Sequence, residues 1–586
     1  MKGINIVIEI CGSAGEGTIS AGEIFSRFMS SQGFEIMSFD AYPAEIRGFG
    51  KCVAHTRISS DKVYSPGKSV DLLVALNDAH AISQLGYLRE NGILIYDSQP
   101  VKPHREDESV LGQAGPGIVP IGVPLTVLAQ KAAGNTRGRN MVSLGAVAAL
   151  FDMDRDAFIT AIKARYAGKK QAIVDANVNS FLQGFDWTAT NVDQRGSVSF
   201  KGVQPPQKGE KLIVNGNQLV ARAAVDADLK LYAGYPITPA TKIMEILGKE
   251  LPKNNGTLLQ TEDEIAAIGA VLGAGFGGVR AMTATSGPGF ALMTEFTGLS
   301  VMAEVPAVII NSQRGGPSTG LPTKTEQSDF NITVLGGTGD CPRVVLAPTD
   351  TASCYDATVL ALYIAEKYQT LVVILLDFFL SNSIRNIDPP EKPSDKMRKA
   401  NIAPDLSGAE AYHRYAVTES GISPRAIPGM PGGMFFATGL EHNRDGIPDY
   451  SGENHLTMTG KRFRKHRNVL AEAPAPEITD FGRESLDIGV ISWGSSAGAA
   501  KEAVLAAEKK GVSAGCFSTM MLSPFPEAKL AAFAEKCRKI LIPELNYTGQ
   551  FGDFVAKLLG RPVEKFNVLN CRPMASEDIL HKMGEM

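Results

Sequence analysis

Short apolar runs that alternate with helical segments across glycine-rich turns constrain this chain of 586 residues more than any other feature. Alternation of this kind builds a largely parallel sheet that is covered by helices. It occurs in three stretches of the chain, and the 60 glycines suit the many tight turns that such a fold requires. Because the chain is too long for one hydrophobic core, the sequence predicts a multidomain α/β protein.

The places where the alternation starts and stops divide the chain into five segments. Residues 1–185 form a first α/β domain, and the polar residues 186–210, which lack a helical period, form a linker. Residues 211–386 form a second α/β domain. Residues 387–483 are rich in Pro, Gly, His and Arg, and we expect an extended connecting segment that wraps over a partner or a neighbouring domain. Residues 484–586 form a third α/β domain.

The net charge of −4 and the seven isolated cysteines limit the classes of function. A slightly acidic chain has no general attraction for nucleic acid or anionic membranes, and no apolar run is long enough to span a bilayer. The cysteine spacing excludes a cluster or zinc site built from closely spaced cysteines within this chain. The basic run KRFRKHR, which begins at Lys461, is expected to be solvated or intersubunit surface. We therefore expect a protein of the reducing cytoplasm that holds no metal of its own.

The loop GYPITPAT, residues 234–241, lies between a predicted strand and a predicted helix, where a parallel sheet places its ligands. Pro236 and Pro239 stiffen this loop, so that Thr238 presents its hydroxyl from a backbone with little freedom. Such a hydroxyl can hold a carboxylate or a carbonyl. Alternatively, Thr238 caps a helix that begins at Pro239, and the two interpretations can coexist.

Glu264 stands near the start of an otherwise apolar helix in the sequence TEDEIAAIGAVLGAGFGG, residues 261–278. It faces Ala267 one turn on, so that its carboxylate points into apolar packing, where it can share a proton with a ring nitrogen. The structural alternative is strong. Thr261 and Glu264 have the spacing of a capping box, and acidic residues suit the first turn of a helix.

Two further loops follow predicted strands. They are TATSGPG, residues 283–289, and NSQRGGPSTGLPTKTEQSD, residues 311–329. The second loop carries Arg314, Thr323 and Lys324 among glycines and prolines. A cationic, donor-rich loop suits an anionic small molecule, since Arg offers a two-pronged grip on a carboxylate. An ordinary solvated loop is the alternative, and the number of glycines favours function.

Four motifs, in this order and spacing, resemble the α subunit of the 2-oxoacid:ferredoxin oxidoreductases, most of all the 2-oxoglutarate type. They are YPITP, EDEIAAIGA, TATSGPGFALMTE and QRGGPSTGLPTKTEQSD. The resemblance continues through TGLEHNRDG, KRFRK, ISWGSS and LIPELNYTGQF. Through GSAGEG, FDAYPAEIRG and NDAH, the first domain resembles the γ subunit of that family, here fused ahead of α. The resemblance implies a γ-like domain, a pyrimidine-binding thiamin diphosphate domain and a C-terminal transketolase-like domain.

The resemblance also implies a role for each candidate residue. Thiamin diphosphate lies between the α and β subunits of this family, and Glu264 matches the catalytic glutamate that bonds its pyrimidine nitrogen. Thr238 and Arg314 match residues that bind the 2-oxoacid, and Thr323 lies in the same pocket by motif. Lys324 is a candidate for binding a distal carboxylate, with a solvated lysine as the alternative. Further contacts to the cofactor are expected from Tyr235, Pro236, Ile237, Ser286 and Gly287.

The implied reaction is the reversible, coenzyme A-dependent oxidative decarboxylation of a 2-oxoacid, with 2-oxoglutarate giving succinyl-CoA and CO2. Electrons pass to ferredoxin through a 4Fe–4S cluster. The chain lacks the GDG motif with a downstream Asn that usually binds Mg2+ and diphosphate in thiamin enzymes. We therefore expect Mg2+ and the cluster in a β subunit, with which this chain forms a heterodimer or a dimer of heterodimers, and we expect it to be inactive alone.

The glycine turn GSAGEG of the first domain, with Gly12, Gly15 and Gly17, follows a strand and precedes a helix. It can admit a phosphate, including one of coenzyme A, although a tight turn without a ligand is at least as good an interpretation. Arg47 is a candidate for contacting the active site or coenzyme A. The equal alternative is a surface loop or an interdomain contact.

Three other assignments remain open on the sequence. The first is a sister specificity for pyruvate, branched-chain or aryl 2-oxoacids. The second is a nucleotide-dependent dehydrogenase built on the amino-terminal glycine turn, which lacks the full dinucleotide fingerprint. The third is a non-catalytic scaffold subunit that kept the fold.

Overall fold

The computed structural model describes residues 3–43, 50–101, 108–192, 199–200, 203, 211–399, 401–403, 406 and 411–586. It divides into two compact units, which we call the first unit (Met1–Val214 with Ser383–Pro389) and the second unit (Asn215–Asn382 with Pro390–Met586). Both units contain sheets that are covered by helices, and the predicted multidomain α/β class is confirmed. Within the described ranges, every helix is too short or too polar to cross a lipid bilayer.

The described strands are β1 (Asn5–Ser13), β2 (Glu35–Ala41), β3 (Lys51–Ser59), β4 (Val70–Ala75), β5 (Leu88–Asp97), β6 (Val119–Val123), β7 (Leu212–Val214), β8 (Leu231–Gly234), β9 (Thr257–Gln260), β10 (Ala281–Thr285), β11 (Ala307–Gln313), β12 (Val344–Leu346), β13 (Leu371–Asp377), β14 (Ile384–Ile387), β15 (Glu477–Thr479), β16 (Leu486–Ser492), β17 (Ala514–Ser518), β18 (Met521–Ser523), β19 (Cys537–Glu544) and β20 (Glu564–Asn567).

The described α-helices are α1 (Thr18–Ser31), α2 (Asp78–Ala81), α3 (Val110–Gln113), α4 (Leu125–Ala133), α5 (Arg139–Leu150), α6 (Arg155–Arg165), α7 (Gln171–Asn191), α8 (Gly216–Asp226), α9 (Thr241–Glu250), α10 (Glu264–Phe276), α11 (Gly287–Leu292), α12 (Thr294–Met302), α13 (Phe330–Val334), α14 (Ser353–Tyr368), α15 (Phe378–Asn382), α16 (Asp395–Arg398), α17 (Gly452–Asn468), α18 (Ser496–Lys509), α19 (Glu527–Glu535), α20 (Gln550–Leu559) and α21 (Ser576–Glu585).

The first unit is built on an eight-stranded sheet in the order β6-β5-β4-β1-β3-β2-β14-β7. Strands β1, β4, β5 and β6 pair in parallel, as the alternation predicts. The other half is antiparallel. The expectation of a largely parallel sheet is therefore wrong for that half. A short connection between β2 and β3 suits an antiparallel pair, whereas parallel neighbours need a long crossover.

The predicted linker 186–210 begins inside a helix. Helix α7 continues to Asn191, because Trp187 packs against the core of the first unit and Thr188 is buried. Residues 193–198, 201–202 and 204–210 lie outside the described part of the chain. Strands β7 and β14, from the two ends of the predicted second domain, pair with each other in the first unit's sheet.

Helices α5 and α7 approach each other closely because a glycine stands on each. A Cβ atom on Gly145 would lie 2.0 Å from the carbonyl oxygen of Phe181, and one on Gly184 would lie 2.0 Å from that of Val142. Real carbon–oxygen contacts are much longer, so any side chain at either position must push the helices apart.

The second unit contains a seven-stranded sheet in the order β18-β12-β13-β11-β10-β8-β9 and a five-stranded sheet in the order β15-β17-β16-β19-β20. All pairings of the first of these sheets are parallel except that of β12 with β18, a strand from the predicted third domain. The two sheets share one hydrophobic core, in which the ring of Phe330 lies 5.6 Å from that of Trp493. Residues 215–382 and 484–586 are therefore packed as one body.

Three cations of the basic run, Lys461, Arg462 and Lys465, are buried, contrary to the expectation of a solvated or intersubunit surface, whereas Arg467 at its end is exposed. The run lies on α17, within the segment that was expected to be extended. Lys465 Nζ lies 2.7 Å from Glu304 Oε2, and Lys461 contacts the other oxygen of the same carboxylate. Arg462 Nη2 donates to Glu441 Oε1 at 2.7 Å. The sequence shows a run of charges, but it does not show acidic partners that are more than a hundred residues away or at another point of the connecting segment.

Although burial alone would raise the pKa of Glu304, the charges of Lys465 and Lys461 hold it far below its ordinary value. Arg414 acts in the same direction and donates through Nη2 to the carbonyl oxygen of Glu304 at 2.7 Å. This ionic cluster fastens the connecting segment to the turn between α12 and β11.

Replacing Gly184 with Ala should destabilise the first unit by about 1–3 kcal/mol, since the new methyl group overpacks the contact of α5 and α7. Calorimetry measures the change as a lower unfolding midpoint. Gly460→Ala is the matched control, because this helical glycine has no other atom within 4 Å of the Cβ position, and Ala is the better helix former. Equal effects of the two substitutions would contradict the prediction.

Candidate active site at the carboxyl edge of a parallel sheet

The predicted site residues of the second unit follow four neighbouring parallel strands. The strand order β11-β10-β8-β9 brings the carboxyl ends of these strands to one edge of the sheet. Arg314 follows β11, Ser286 and Gly287 follow β10, and the loop of residues 235–238 follows β8. Glu264 begins α10, which follows β9. Ligands of parallel α/β sheets bind at this edge, as the sequence predicts.

Glu264 is buried, with 6% of its surface exposed, at the first position of α10. A Cβ atom on Gly289 would lie 2.4 Å from Glu264 Oε1 and 2.1 Å from Thr285 Oγ1, so only glycine fits there. The N-cap of α10 is Asp263, whose side chain accepts from Ala266 N at 2.7 Å. The capping-box alternative for Glu264 is therefore wrong, because Asp263 already serves as the cap.

Thr238 and Arg314 are brought into direct contact. Arg314 Nη1 donates to the carbonyl oxygen of Thr238 at 2.6 Å. Thr238 does not cap a helix, because α9 begins only at Thr241, whose N–H donates to the carbonyl oxygen of Ile237 at 3.0 Å. The alternative helix start at Pro239 is therefore wrong, and the Thr238 hydroxyl is not used as a cap.

Residues 314–329, which we call the pocket loop, continue from β11. Arg314 and Thr323 are buried, each with 7% of its surface exposed, and Lys324 is half-buried. The N–H of Gly315 donates to the carbonyl oxygen of Lys324 at 3.0 Å, which brings the end of the loop back to its beginning. Arg314, Thr323 and Lys324 thus lie on one closed loop.

Tyr235 and Pro236 are exposed, and Ile237 is half-buried, whereas Ser286 is fully buried at the N-cap position of α11. A Cβ atom on Gly287 would lie 2.6 Å from Asp329 Oδ2, so the Asp329 carboxyl group lies directly against the start of α11. The residues that are predicted to contact the cofactor at this edge of the sheet therefore include both exposed and buried ones.

Asp329 ends the motif of residues 311–329 and was not predicted as a site residue, but the structure places it within the site. Asn311 Nδ2 donates to Asp329 Oδ2 at 3.3 Å. Burial raises the pKa of Asp329 to about 6, while the hydrogen bond from Asn311 acts in the opposite direction. Burial also lowers the pKa of Arg314, which the charges of Asp329 and Glu264 partly offset. The position of Asp329 at the end of a loop that also carries Arg314 was the signal that could have identified it.

Several buried polar atoms at this edge lack a hydrogen-bond partner among the described residues. They are Ser286 Oγ, Asn311 Oδ1, Arg314 Nε and Thr325 Oγ1. Buried polar atoms are almost always paired with protein, water or ligand, so these four atoms are available to a polar ligand. Together with the buried carboxyl group of Glu264, these donors and acceptors fit a polar ligand that carries an anionic group.

In the glycine turn of the first unit, the side chain of Glu16 binds the backbone of the turn itself. Glu16 accepts from Ser13 N at 2.6 Å and pairs with Arg139 Nη2 at 2.5 Å. Gly15 and Gly17 have positive φ angles of 93° and 79°, and Gly12 lies at the end of β1. The Glu16 carboxylate already accepts the N–H of Ser13, so this N–H is not available to a phosphate. The geometry therefore supports the interpretation as a tight turn without a ligand. Arg47 lies outside the described residues.

Family comparisons match three parts of the chain. The family described as "Pyruvate flavodoxin/ferredoxin oxidoreductase, thiamine diP-bdg" matches residues 222–460. The family described as "Pyruvate ferredoxin/flavodoxin oxidoreductase" matches residues 7–187, and "Pyruvate:ferredoxin oxidoreductase core domain II" matches residues 487–574.

Similar proteins cover most of the chain. The 2-oxoglutarate synthase subunit KorA of Methanothermobacter thermautotrophicus is 37% identical over 58% of this chain and 89% of its own length. The 2-oxoglutarate oxidoreductase subunit KorA of Mycobacterium tuberculosis is 31% identical over 92% of this chain and 86% of its own. Among solved structures, a 2-oxoglutarate:ferredoxin oxidoreductase from Magnetococcus marinus, with 2-oxoglutarate, coenzyme A and succinyl-CoA bound, is 34% identical with a TM-score of 0.93 over 99% of both chains.

Replacing Asp329 with Asn should stabilise the protein more at about pH 7.5 than at about pH 5. Because burial raises the pKa of Asp329 from 3.8 to about 6, the folded protein keeps a proton that the unfolded chain has lost. Stability therefore falls as the pH rises through this window, and Asn removes the loss. Thermal unfolding across this pH range should show a rise of about 1–3 °C at the higher pH. Asp340→Asn, on an exposed residue, is the control, and parallel profiles would contradict the prediction.

Proposed function

Since the chain belongs to the 2-oxoacid:ferredoxin oxidoreductases, as their α subunit with a γ-type domain ahead of it, we propose that it oxidises 2-oxoglutarate to succinyl-CoA and CO2. The family predicted from the sequence motifs is confirmed. The observation that carries the proposal is the contact of Arg314 with Thr238 at a sheet edge that also holds the buried Glu264.

Arg314 is proposed to bind the carboxylate of the 2-oxoacid. Its Nη1 is used by Thr238, while Nε is buried without a partner among the described residues and can donate to the substrate. A guanidinium with free donors binds a carboxylate strongly when both are shielded from water. Thr238, whose carbonyl oxygen Arg314 holds, lies on the loop after β8, and its hydroxyl is proposed to bind the carbonyl oxygen of the substrate. Thr323 is proposed to orient the bound acid.

Glu264 is proposed to hold a proton at the pyrimidine nitrogen of thiamin diphosphate, and its carboxyl group packs directly against Gly289. When bound, this cofactor supplies an electron sink for the bond that breaks during decarboxylation. Ser286, Gly287 and the loop of residues 235–237 are proposed to be the further residues that would hold the cofactor. Glu264 is suited to its role because it is buried, with few competing water molecules.

The other half of the reaction is assigned to a β subunit that binds Mg2+ with the diphosphate, carries a 4Fe–4S cluster and passes electrons to ferredoxin. The sequence of this chain has isolated cysteines and lacks the Mg2+–diphosphate motif. Coenzyme A takes up the acyl group as cosubstrate. We propose a dimer of αβ heterodimers in the cytoplasm.

The connecting segment supports assembly with another chain. Met434, Phe436, Tyr450 and Leu456 are exposed by 94%, 68%, 75% and 76%. Large apolar side chains that are exposed close together in sequence are typical of protein interfaces. The segment itself is fixed by the ionic cluster at Glu304, so this surface is presented by a rigid element.

Glu264→Gln should lower kcat of the αβ complex by at least about 100-fold with assembly intact, because an amide cannot exchange a proton with the ring nitrogen. Ferredoxin-linked oxidation of 2-oxoglutarate measures kcat, and gel filtration measures assembly. Glu262→Gln changes an exposed neighbour in the same way and should leave kcat unchanged. Full activity of the Glu264 variant would identify the chain as a scaffold.

Lys324→Met should lower the preference of the complex for 2-oxoglutarate over pyruvate by roughly 10–100-fold in kcat/KM, because only the larger acid has a distal carboxylate for the ammonium to bind. Turnover of 2-oxoglutarate, pyruvate, branched-chain and aryl 2-oxoacids by the wild-type complex decides the substrate first. Preference of the wild type for another acid would overturn the assignment of 2-oxoglutarate. An unchanged ratio in the variant would remove Lys324 from the site.

A further inference from the structure

The carboxyl edge of the five-stranded sheet is filled by a residue of the pocket loop. Gln327 lies where the adjacent parallel strands β16 and β19 end, beside Trp493 and Leu545. Parallel sheets bind ligands at such an edge. Here the side chain of Gln327 takes that position.

Every polar atom of Gln327 has a partner in the segment 484–586. Its N–H donates to the carbonyl oxygen of Leu545 at 2.7 Å, and its carbonyl oxygen accepts from Asn546 Nδ2 at 2.8 Å. Its Nε2 donates to the carbonyl oxygen of Trp493 at 3.0 Å. Its Oε1 accepts from Ser496 Oγ at 2.7 Å and from Leu545 N at 3.2 Å. Gln327 is fully buried, so these bonds have no competition from water.

The backbone around Gln327 is shaped to receive it. Gly494 has a φ of 57°, and a Cβ atom there would lie 2.8 Å from Gln327 Nε2. The next residue of the loop is held as well, since Gln550 Nε2 donates to the carbonyl oxygen of Ser328 at 2.8 Å. Two consecutive loop residues are thus attached to the carboxyl-terminal sheet by main-chain and side-chain bonds.

Between its two ends, the pocket loop makes hydrogen bonds within itself, since Lys324 N donates to the carbonyl oxygen of Leu321 at 3.0 Å and Gly316 N donates to Glu326 Oε2 at 3.3 Å. Residues 316–321 are exposed, and the loop closes through the bond from Gly315 N to the carbonyl oxygen of Lys324. The amino-terminal end is fixed by β11 and by the contact of Arg314 with Thr238. The carboxyl-terminal end is fixed at Gln327, three residues after Lys324. The position of Thr323 and Lys324 relative to Arg314 therefore depends on both ends.

We propose that Gln327 is a positioning residue for the 2-oxoacid pocket, and that the carboxyl-terminal α/β domain acts in the reaction by holding the pocket loop through it. The effect on catalysis that this inference predicts rests on the proposed function. It assigns a role to residues 484–586, which contain none of the predicted substrate or cofactor residues. Gln327 contacts no reacting atom, and its effect passes through Thr323 and Lys324.

The test uses the αβ complex with Gln327→Met, which keeps the side-chain length and removes the side-chain hydrogen bonds. We expect KM for 2-oxoglutarate to rise about tenfold or more, because small displacements of binding groups weaken a pocket strongly. We expect the affinity for thiamin diphosphate to change less, since Glu264 lies on another element. Ser496→Ala removes one of the bonds and should change KM in the same direction by a smaller factor.

Phe525→Leu is the control for a purely structural role. This buried ring belongs to the same shared core, where it lies 6.1 Å from the ring of Phe551, and it makes none of the bonds to Gln327. Its loss should lower the unfolding midpoint without changing KM. If the Gln327 and Phe525 variants show the same KM at similar stability, the positioning role is overturned.

A measurement independent of turnover separates this inference from the proposed function. Hydrogen–deuterium exchange of residues 314–325 should become faster in Gln327→Met and in Ser496→Ala than in Phe525→Leu. Unchanged exchange in the Gln327 and Ser496 variants overturns the inference, whether or not the complex is active. A wild-type complex that oxidises no 2-oxoacid overturns the proposed function instead, and the exchange data then decide whether Gln327 holds the loop.

Discussion

Strands β9, β8, β10 and β11 run parallel, and their hydrogen-bonded pairing fixes where the chain leaves the sheet each time. Each departure falls at the same edge, so residues that are far apart in sequence become neighbours. Arg314 reaches the carbonyl oxygen of Thr238 although 75 residues separate them in the chain. A shift of one residue in any of these pairings would turn every side chain of the shifted strand to the other face of the sheet. The register of four short strands thus decides the geometry of the site.

The sequence predicted which residues form this site, but it did not predict the hydrogen bonds that they make. The motifs around Thr238, Glu264 and Arg314 each follow a strand, and the rule for parallel sheets was enough to expect them together. The local interpretations failed, because caps depend on exact backbone angles. Asp263 caps α10, and α9 starts beyond Thr238.

The sequence also did not predict which residues pair with each other when they are far apart in the chain. Lys461, Arg462 and Lys465 on α17 are buried because Glu304 and Glu441 neutralise them, and neither acid lies within the same run. Gln327 was visible only as one donor among many in a loop. Its partners in the carboxyl-terminal sheet are more than 150 residues away, and no local pattern encodes such a pairing. The structure therefore adds what periodicity cannot supply.

The second unit has two buried charged regions, and their polar groups are paired to different extents. At Glu304 a carboxylate is surrounded by cations and fully bonded, which suits a rigid support. At the sheet edge, Arg314 Nε has no partner among the residues that the structure describes, and burial raises the pKa of Asp329 to about 6. A region that leaves donors unpaired is less stable than it could be, and this is common where a protein binds its substrate. The rigid cluster and the unsatisfied edge occur in one body, so the first can support the second.

Strand β18 has a consequence for the order in which the chain can fold. It pairs with β12 at the edge of the seven-stranded sheet, although the ribosome synthesises it long after the other strands of that sheet. While a ribosome is still synthesising residues between these two strands, the outer side of β12 has a row of free N–H and C=O groups. Free strand margins attract other chains. The nascent protein is therefore most exposed to misassociation during this interval, and it closes this margin itself only when Met521–Ser523 has emerged.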